Sequence, residues 1–391
     1  MSYSNTNYGN GSLPNNTGIL NSAFGTSALG TDNGSTANSA VGAYSQLNNT
    51  SGQSNSSLGA NALLKNTTGS YNTALGTATL CFNTTGDLNT AVGSNALQNN
   101  TSGTQNVAVG VGALYENTGP TGNCNVAIGY NASYSNVSGR VNVAVGYNAL
   151  YGNTASINNV AVGNQALENT TSGGNVGVGA GALQYNTTGN NLCAVGYEAL
   201  YKNTTGVNNV AIGTNSLYNN TTGGQNVAMG NNTLSNNTTG NWNTALGQQA
   251  LQYNTTSYNN VGIGYKALNN NTTGSQNVAV GTGSLQYNNG QYNVAIGYNA
   301  LQGSSGSIGS TGTENVAIGY EALYSNTNGG QNISIGYQSL INNKGGYNNV
   351  SIGISNMTNN TQGYDNISIG LNSLNGITGS TSNTAIGHAT L

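Results

Sequence analysis

One short phrase dominates the sequence: asparagine, any residue, a small residue, an apolar residue and glycine. It occurs 23 times, and in all but five cases successive closing glycines have the same spacing, as at Gly25, Gly42 and Gly59. This period of about 17 residues is too short for a repeat built of two helices and suits one β coil per copy. The sequence therefore predicts an all-β chain that forms a single parallel β-solenoid of about 23 coils, with about 17 residues per coil.

The repeat runs through the whole sequence, so we expect residues 1–391 to form one continuous repeat domain. Two intervals between closing glycines are longer than the rest, the one that ends at Gly129 and the one that ends at Gly319. These intervals contain the segments E-N-T-G-P-T-G and G-S-S-G-S-I-G-S-T-G, which are rich in turn-forming residues. They indicate enlarged turns near residues 115–124 and 302–314.

Residue preferences within the repeat predict how a coil is packed. The residue directly before the closing glycine is apolar in every copy, which indicates a buried column. Side chains alternate along a strand, so the small residue two before the glycine is expected to face outward, as at Ala108, Ala144, Ala211 and Ala279. Leucine stands four residues after the glycine in 20 copies and predicts a second core column on a short second strand.

Asparagine stands four residues before the closing glycine in every copy except one, where Leu192 replaces it. When equivalent residues stack, such side chains form ladders, so we expect buried amide ladders that fix the register of the strands. The segment N-T-T-G or a close variant of it comes before most strands and is typical of a turn. Asparagine tolerates a left-handed backbone and glycine supplies a positive φ at no steric cost.

Units such as residues 125–129 (N-V-A-I-G) and 72–76 (N-T-A-L-G) resemble the head repeats of trimeric autotransporter adhesins. They are also similar to repeats in phage and large-virus fibre proteins. The resemblance implies a left-handed β-roll, a trimer, binding to host surfaces, and an extracellular, cell-surface or virion-surface location. The chain differs from the adhesin heads in its longer period, and it shows no heptad stalk and no signal peptide.

The composition argues against two kinds of partner. Only five residues are Lys or Arg, and they lie far apart, so no basic surface is expected to neutralise the phosphates of a nucleic acid. No apolar run approaches the length of a membrane-spanning helix, so membrane insertion is not expected either. The expected partner is the chain itself, head to tail or as a trimer, with a host-surface glycan or protein as a further candidate.

The sequence offers little material for catalysis. The one histidine, His388, is expected to be a surface residue, and the eight carboxylates are dispersed over different phases of the repeat. The best carboxylate pair, Glu198 and Glu321, is separated by seven coils, which is unsuitable for paired acid–base work. We therefore predict that the chain is not an enzyme and has no catalytic residues.

No cofactor-binding or metal-binding residues are predicted, and no cofactor is expected. Three Asp residues cannot form the aspartate ladder of a calcium-binding β-roll. Cys81, Cys124 and Cys193 lie at unrelated positions and, with one histidine, have neither zinc-ligand spacing nor the pattern of a disulfide framework.

Two surface features leave alternatives open. A tyrosine that follows the closing glycine indicates a ligand-binding stripe, an outward aromatic ladder or a contact between protomers. The residues are Tyr130, Tyr147, Tyr197, Tyr265, Tyr298, Tyr320 and Tyr337. The N-x-T sites at Asn66, Asn203 and Asn271 are glycosylation sequons in form, but turn residues are the favoured interpretation.

Three functions remain as hypotheses. The first is a structural subunit of an extracellular or virion-surface fibre, because the repeat extends from Asn5 to Leu391 and uncapped repeat ends would stack between molecules. The second is a trimeric adhesin head or a receptor-binding fibre shaft. The third is an ice-binding solenoid that presents regular threonines of the turns.

Overall fold

The computed structural model describes residues 4–14, 17–304 and 309–390, and over these ranges the chain is an all-β parallel solenoid without a helix. Each repeat contributes one strand, which consists of the three residues before the closing glycine. The prediction of a parallel β-solenoid with about 17 residues per coil is confirmed. The chain forms two compact units, Met1–Leu192 and Cys193–Leu391.

The first unit contains strands β1 to β11. They are β1 Thr6–Tyr8, β2 Ser22–Phe24, β3 Ser39–Val41, β4 Ser56–Leu58, β5 Thr73–Leu75, β6 Thr90–Val92, β7 Val107–Val109, β8 Val126–Ile128, β9 Val143–Val145, β10 Val160–Val162 and β11 Val176–Val178. The second unit contains strands β12 to β23. They are β12 Cys193–Val195, β13 Val210–Ile212, β14 Val227–Met229, β15 Thr244–Leu246, β16 Val261–Ile263, β17 Val278–Val280, β18 Val294–Ile296, β19 Val316–Ile318, β20 Ile333–Ile335, β21 Val350–Ile352, β22 Ile367–Ile369 and β23 Thr384–Ile386.

Within each unit, neighbouring strands pair in parallel and place equivalent repeat positions opposite one another. In the second unit, Ala211 lies opposite Ala228, and in the first unit Ala144 lies opposite Ala161. The closing glycines continue this register, since the N–H of Gly213 donates to the Val195 carbonyl at 2.8 Å. The slightly shorter coil between β10 and β11 keeps it as well, because Val160 still lies opposite Val176. Stacking in register therefore tolerates small differences in coil length.

The strand residues face the opposite way from the prediction. The middle residue of every strand from β2 to β23 is buried, and Ala108, Ala144, Ala211 and Ala279 have no exposed surface. The first and third residues point outward, and Ile128 remains 40% exposed. The prediction of a buried column directly before the glycine, with small residues outside, is wrong.

The width of the core explains this reversal. The predicted leucine column is confirmed, and its side chains, such as Leu167 and Leu217, fill the interior. Gly177 occupies the alanine column, and a Cβ added there would lie 3.2 Å from Leu167 Cγ and 3.4 Å from Leu167 Cδ1. The leucines thus leave room for a methyl group only, and a valine or isoleucine would overpack the core. The larger branched residues therefore occupy the outer side of the strand.

The residues after the closing glycine form a series of turns, so the expected second strand is wrong. Gly213 has a φ of +127°, and the second and fourth residues after it, Asn215 and Leu217, are left-handed with φ of 53° and 52°. The same two positions are left-handed in nearly every described repeat. Because a left-handed residue reverses the local direction of the chain, this segment cannot extend into a strand.

The left-handed backbone at the leucine position explains why leucine is preferred there. A left-handed backbone costs an ordinary residue about 1–2 kcal/mol, and it is least tolerated by residues branched at Cβ. Leucine is large enough to fill the core and is unbranched at Cβ, whereas valine and isoleucine are not suited to this backbone. The three copies that lack leucine have Gln46, Ser133 and Met357, which are also unbranched at Cβ.

The predicted amide ladder is confirmed. In the second unit Asn226 is buried, and its Oδ1 accepts from the N–H and Nδ2 of Asn243 at 3.0 and 3.1 Å. We call this column the strand ladder. A second column, the turn ladder, is formed by the first asparagine of N-T-T-G, and there Asn237 Nδ2 donates to Asn220 Oδ1 at 2.8 Å. Two buried amide columns therefore bracket each turn.

The glycine that ends N-T-T-G is required for space rather than for a positive φ. At Gly223, an added Cβ would lie 2.4 Å from the Gly240 carbonyl oxygen and 2.5 Å from Asn220 Oδ1. The carbonyl of this glycine accepts a hydrogen bond from each ladder, at 2.9 Å from Asn220 and at 2.7 Å from Asn209. The close approach of the two ladders thus leaves little space for a side chain at Gly223.

The two long intervals depart locally from the regular coil. Near residues 115–124, the turn-ladder residue Asn117 donates to Gly122, five residues away, whereas regular turns span three. Near residues 302–314, the described residues are 302–304 and 309–314, and positions 305–308 lie outside the described residues. Ser310 forms an isolated parallel bridge with Asn288, and its carbonyl accepts from the Asn289 N–H at 2.7 Å. The chain thus rejoins the stack at Ser310.

Replacing Ser133 with leucine is expected to stabilise the protein by about 2 kcal/mol. Ser133 occupies the leucine column, is 1% exposed, and its buried hydroxyl has no hydrogen-bond partner in the described structure. The substitution removes an unpaired polar group and adds apolar burial, each worth on the order of 1–3 kcal/mol before packing strain. The midpoint of urea-induced unfolding measures the gain.

The matched variant is Gln46→Leu, at the second polar site of the same column. Gln46 Nε2 donates to Ser57 Oγ at 2.8 Å and to the Ser39 carbonyl at 3.0 Å, so leucine would remove hydrogen bonds as well as add apolar surface. We expect no stabilisation from Gln46→Leu. Gln46 Oε1 is also buried without a partner among the described residues, so the two variants differ in the hydrogen bonds that Gln46 Nε2 loses. An equal gain from both variants would show that these hydrogen bonds do not contribute to stability.

Candidate functional surfaces

The first and third residues of the strands form a surface that we call the outer strand face. Its third-residue column is apolar in every repeat, and from β7 onward the first-residue column is mostly valine or isoleucine. Met229 and Ile296 are each 40% exposed, and Ile369 is 37% exposed. None of the 23 described strands contains a charged residue. Each unit thus presents an uncharged, mainly aliphatic sheet face.

Five of the seven tyrosines that follow the closing glycine form exposed aromatic ladders, whereas Lys266 lies over the ring of Tyr265. Tyr298, Tyr320 and Tyr337 are stacked with ring centroids 5.3 and 5.1 Å apart and planes within 9°. Tyr130 and Tyr147 are stacked in the same way at 5.6 Å. Within each stack neighbouring ring faces cover one another. The stacking therefore favours an outward aromatic ladder over a ligand-binding stripe.

Carboxylates next to two of these tyrosines contribute to a raised pKa of the tyrosine hydroxyl. The hydrogen bond to Glu198 raises the pKa of the Tyr197 hydroxyl. Desolvation raises the pKa of Tyr320, and the charge of Glu321 acts in the same direction. Glu198 and Glu321 follow β12 and β19, so about seven strand spacings, roughly 34 Å, separate them. That distance is too large for the two carboxylates of a glycosidase.

Several other carboxylates are tied into the stack by neighbouring coils. Glu168 Oε2 accepts from Gln184 Nε2 at 2.7 Å and from Gln165 Nε2 at 3.1 Å. Asp365 Oδ1 accepts from Asn348 Nδ2 at 3.0 Å. The hydrogen bonds from Gln184 and Asn348 join one coil to the next.

The threonines of the turns also serve the stack. Thr67 Oγ1 donates to the Thr84 carbonyl at 2.9 Å, and Thr221 Oγ1 donates to the Thr238 carbonyl at 3.1 Å. The hydroxyl protons of this first threonine of N-T-T-G are therefore used within the protein, whereas the second threonine, as at Thr205 and Thr222, is exposed. The sequon asparagines Asn66, Asn203 and Asn271 are fully buried, so the fold as described leaves no room for a glycan on them.

Residues with metal-binding or redox chemistry are scattered. Cys81 is buried, Cys124 is exposed, Cys193 lies on the outer strand face, and all three are free thiols. Burial raises the pKa of the Cys81 thiol. His388 is exposed. Among residues 4–14, 17–304 and 309–390, no three His, Cys, Asp or Glu side chains come together in a way that could hold a metal ion.

One cavity lies in the second unit beside the enlarged turn near residues 302–314. It has a volume of about 450 Å³. Residues from four successive coils line it: Tyr287, Gln302, Gly303, Ser304, Tyr324, Ser325, Thr327 and Lys344. The sequence predicts the enlarged turn but not the cavity, because the register in which the coils stack brings these residues together.

The fold and its repeats define a β-solenoid repeat protein. No family model matches the sequence, and no curated protein matches it. In the part of the chain that the structure describes, no helix is long and apolar enough to cross a bilayer.

Proposed function

We propose that the protein is a non-enzymatic structural subunit that associates with copies of itself in a fibre or filament. The observation that carries this proposal is the outer strand face. A soluble monomer seldom exposes a contiguous apolar patch of more than a few hundred Å². The resemblance to adhesin heads and viral fibre repeats supports a location at a cell or virion surface.

The size of the outer strand face supports association. Strands lie about 4.8 Å apart and a three-residue strand is about 10 Å long, so the twelve strands of the second unit present roughly 600 Å². Two such faces would together bury about 1,200 Å², which is about the smallest total area buried in specific, stable protein–protein interfaces.

The chemistry of this face favours a second copy as its partner. It contains no charged residue, so it offers nothing to an anionic lipid surface or a nucleic acid. Its side chains repeat once per strand spacing, and a surface with the same spacing would interdigitate with it along its whole length. Two sheets pack in this way about 10 Å apart with their strands nearly aligned.

Charges placed on the outer strand face are expected to prevent association. We would combine Met229→Glu with Ile296→Glu, since both side chains point outward and neither occupies the core. Sedimentation velocity over a concentration series, with electron microscopy of the same samples, would measure assembly. The unmodified protein is expected to form multimers or filaments, and the double variant is expected to sediment as a single chain.

The control places the same number of charges elsewhere on the second unit. Thr205 and Thr222 are exposed turn residues, and Thr205→Glu with Thr222→Glu is expected to leave assembly unchanged. A single-chain mass for the unmodified protein at its highest soluble concentration would refute the proposal. A discrete mass of three chains would instead favour the trimeric adhesin head or fibre shaft.

A further inference from the structure

We propose that the cavity beside the enlarged turn binds an acidic saccharide. The cavity exists because one coil departs from the regular wall. Tyr287 and Ser325 stand at the sixth position after their closing glycines, and the coil between them has Gly303 there, without a side chain. The described chain pairs with the stack again at Ser310. The missing side chain at Gly303 leaves space for the cavity.

The two tyrosines of the cavity differ from those of the aromatic ladders. The faces of Tyr298, Tyr320 and Tyr337 are occupied by one another. Tyr287 and Tyr324 are half-buried in the cavity wall, and neither is stacked on another ring among the described residues. Their ring surface is therefore available to a ligand. The face of a tyrosine ring suits the C–H face of a sugar as well as any flat apolar group.

Lys344 supplies a positive charge at the cavity. It occupies the position that threonine holds in most N-T-T-G turns, because this copy reads N-K-G-G. Its carbonyl accepts from Thr327 Oγ1 at 2.9 Å and from the Thr327 N–H at 3.0 Å, so the backbone is held in place. Lys344 has no ion pair with any described residue.

The remaining lysines of the described chain are engaged differently. Lys65, Lys202 and Lys266 each lie over an aromatic ring, with Nζ between 4.5 and 5.2 Å from the ring centroid. Lys344 lines the cavity instead. A lysine without an anionic partner, at a concave and partly aromatic site, is suited to binding a carboxylate from a ligand.

The other lining groups narrow the ligand class. Gln302, Ser304, Ser325 and Thr327 offer amide and hydroxyl groups, which match a ligand with several hydroxyls. A volume of about 450 Å³ lies within the usual range for small-ligand sites and is large enough for one or two sugar residues. A single cation is a poor match for a polyphosphate. A carboxylated sugar would contact the tyrosine rings, the polar side chains and the Lys344 ammonium at the same time.

This site is independent of the outer strand face, because its residues follow the closing glycines and none belongs to a strand. Binding can therefore be tested whether or not the protein assembles. The probes are 3′-sialyllactose and lactose, which share the neutral disaccharide and differ by one acidic sugar. Titration calorimetry or saturation-transfer NMR is expected to show saturable binding of 3′-sialyllactose and binding of lactose at least tenfold weaker.

Two variants test the named contacts. Lys344→Thr installs the residue that most repeats have at this position, so the fold is retained, and we expect the affinity for 3′-sialyllactose to fall at least tenfold. Tyr324→Ala removes one ring and is expected to lower the affinity by a similar factor. The matched control is Lys202→Thr, which removes a lysine of the same unit outside the cavity and should leave the affinity unchanged.

Three results would overturn the proposal. The first is the absence of saturable binding of 3′-sialyllactose to the unmodified protein. The second is equal affinity for lactose, which would show that the acidic group is not recognised. The third is an equal loss of affinity in Lys344→Thr and Lys202→Thr, because a general effect of positive charge would then explain the binding.

Discussion

Gly213→Ala is expected to destabilise the second unit by several kcal/mol. An added Cβ at Gly213 would lie 2.5 Å from the carbonyl oxygen of Gly230 in the next coil, and φ at Gly213 is +127°. Strained backbone of this kind and overpacking each cost about 1–3 kcal/mol or more, and here the two costs add. Hydrogen exchange measured by mass spectrometry should show that peptides around Gly213 and Gly230 lose protection first.

The control for this prediction is Gly379→Ala in the same unit. No heavy atom lies within 4 Å of a Cβ built on Gly379, so the free energy of unfolding should change by less than about 0.5 kcal/mol. If Gly213→Ala left the exchange pattern as it is in the unmodified protein, the close approach of the closing glycines would not be essential to the stack.

Asn226→Ala is expected to cost about 3–5 kcal/mol. The Asn226 amide accepts two hydrogen bonds from Asn243 and donates to the Gly240 carbonyl at 2.9 Å and to Asn209 Oδ1 at 3.2 Å. Alanine would leave the Asn243 N–H without a partner, which costs about 1–3 kcal/mol. It would also remove three further hydrogen bonds, each worth about 0.5–1.5 kcal/mol. In hydrogen exchange, a peptide containing Asn243 should lose protection about a hundredfold or more.

An exposed asparagine provides the comparison for the strand ladder. Asn164 lies on the surface, and Asn164→Ala should change the free energy of unfolding by less than about 0.5 kcal/mol. Similar losses in the two variants would mean that asparagine at position 226 acts through general backbone preference and not through its buried amide.

The stacking of this protein could be predicted from its sequence because the relevant residues recur at fixed positions. The spacing of the closing glycines predicts the coil, and the asparagine four residues earlier predicts the strand ladder. Both predictions are confirmed, as at Gly213 and Asn226. A residue type that occupies one position in almost every copy has the same neighbour above and below, so its environment follows from the period alone.

The orientation of the strand residues could not be predicted in the same way. Hydrophobicity alone favours Val109 over Ala108 as the buried residue. Side chains alternate along a strand, so turning the strand over exchanges the buried and exposed residues in every copy. The outcome depends on how far Leu167 and its equivalents reach across the core, as the close contact at Gly177 shows. The reach of the leucine across the core depends on the left-handed turns after the closing glycine. The alternation of apolar and polar residues does not predict these turns.

Only some features of the candidate surfaces could be predicted from the sequence. The tyrosines after the closing glycine were identified as a surface feature, but the stacking of their rings decides between a ladder and a free binding surface. The cavity joins Tyr287, Gln302, Tyr324 and Lys344, which come from four successive copies and stand five, six or eight residues after their closing glycines. The residue types at these positions differ from copy to copy, so no recurring motif in the sequence marks the cavity.

Because successive coils within each unit are equivalent, the gene can gain or lose whole copies of the repeat without disturbing the fold. Val210, Val227 and Val261 make equivalent contacts with their neighbours, so duplication or deletion of one whole copy of the repeat would recreate contacts that already exist elsewhere. Each such event would change the length of the stack by about 4.8 Å. Insertions of other sizes would have to be accommodated as enlarged turns, and an enlarged turn is where a new pocket can arise.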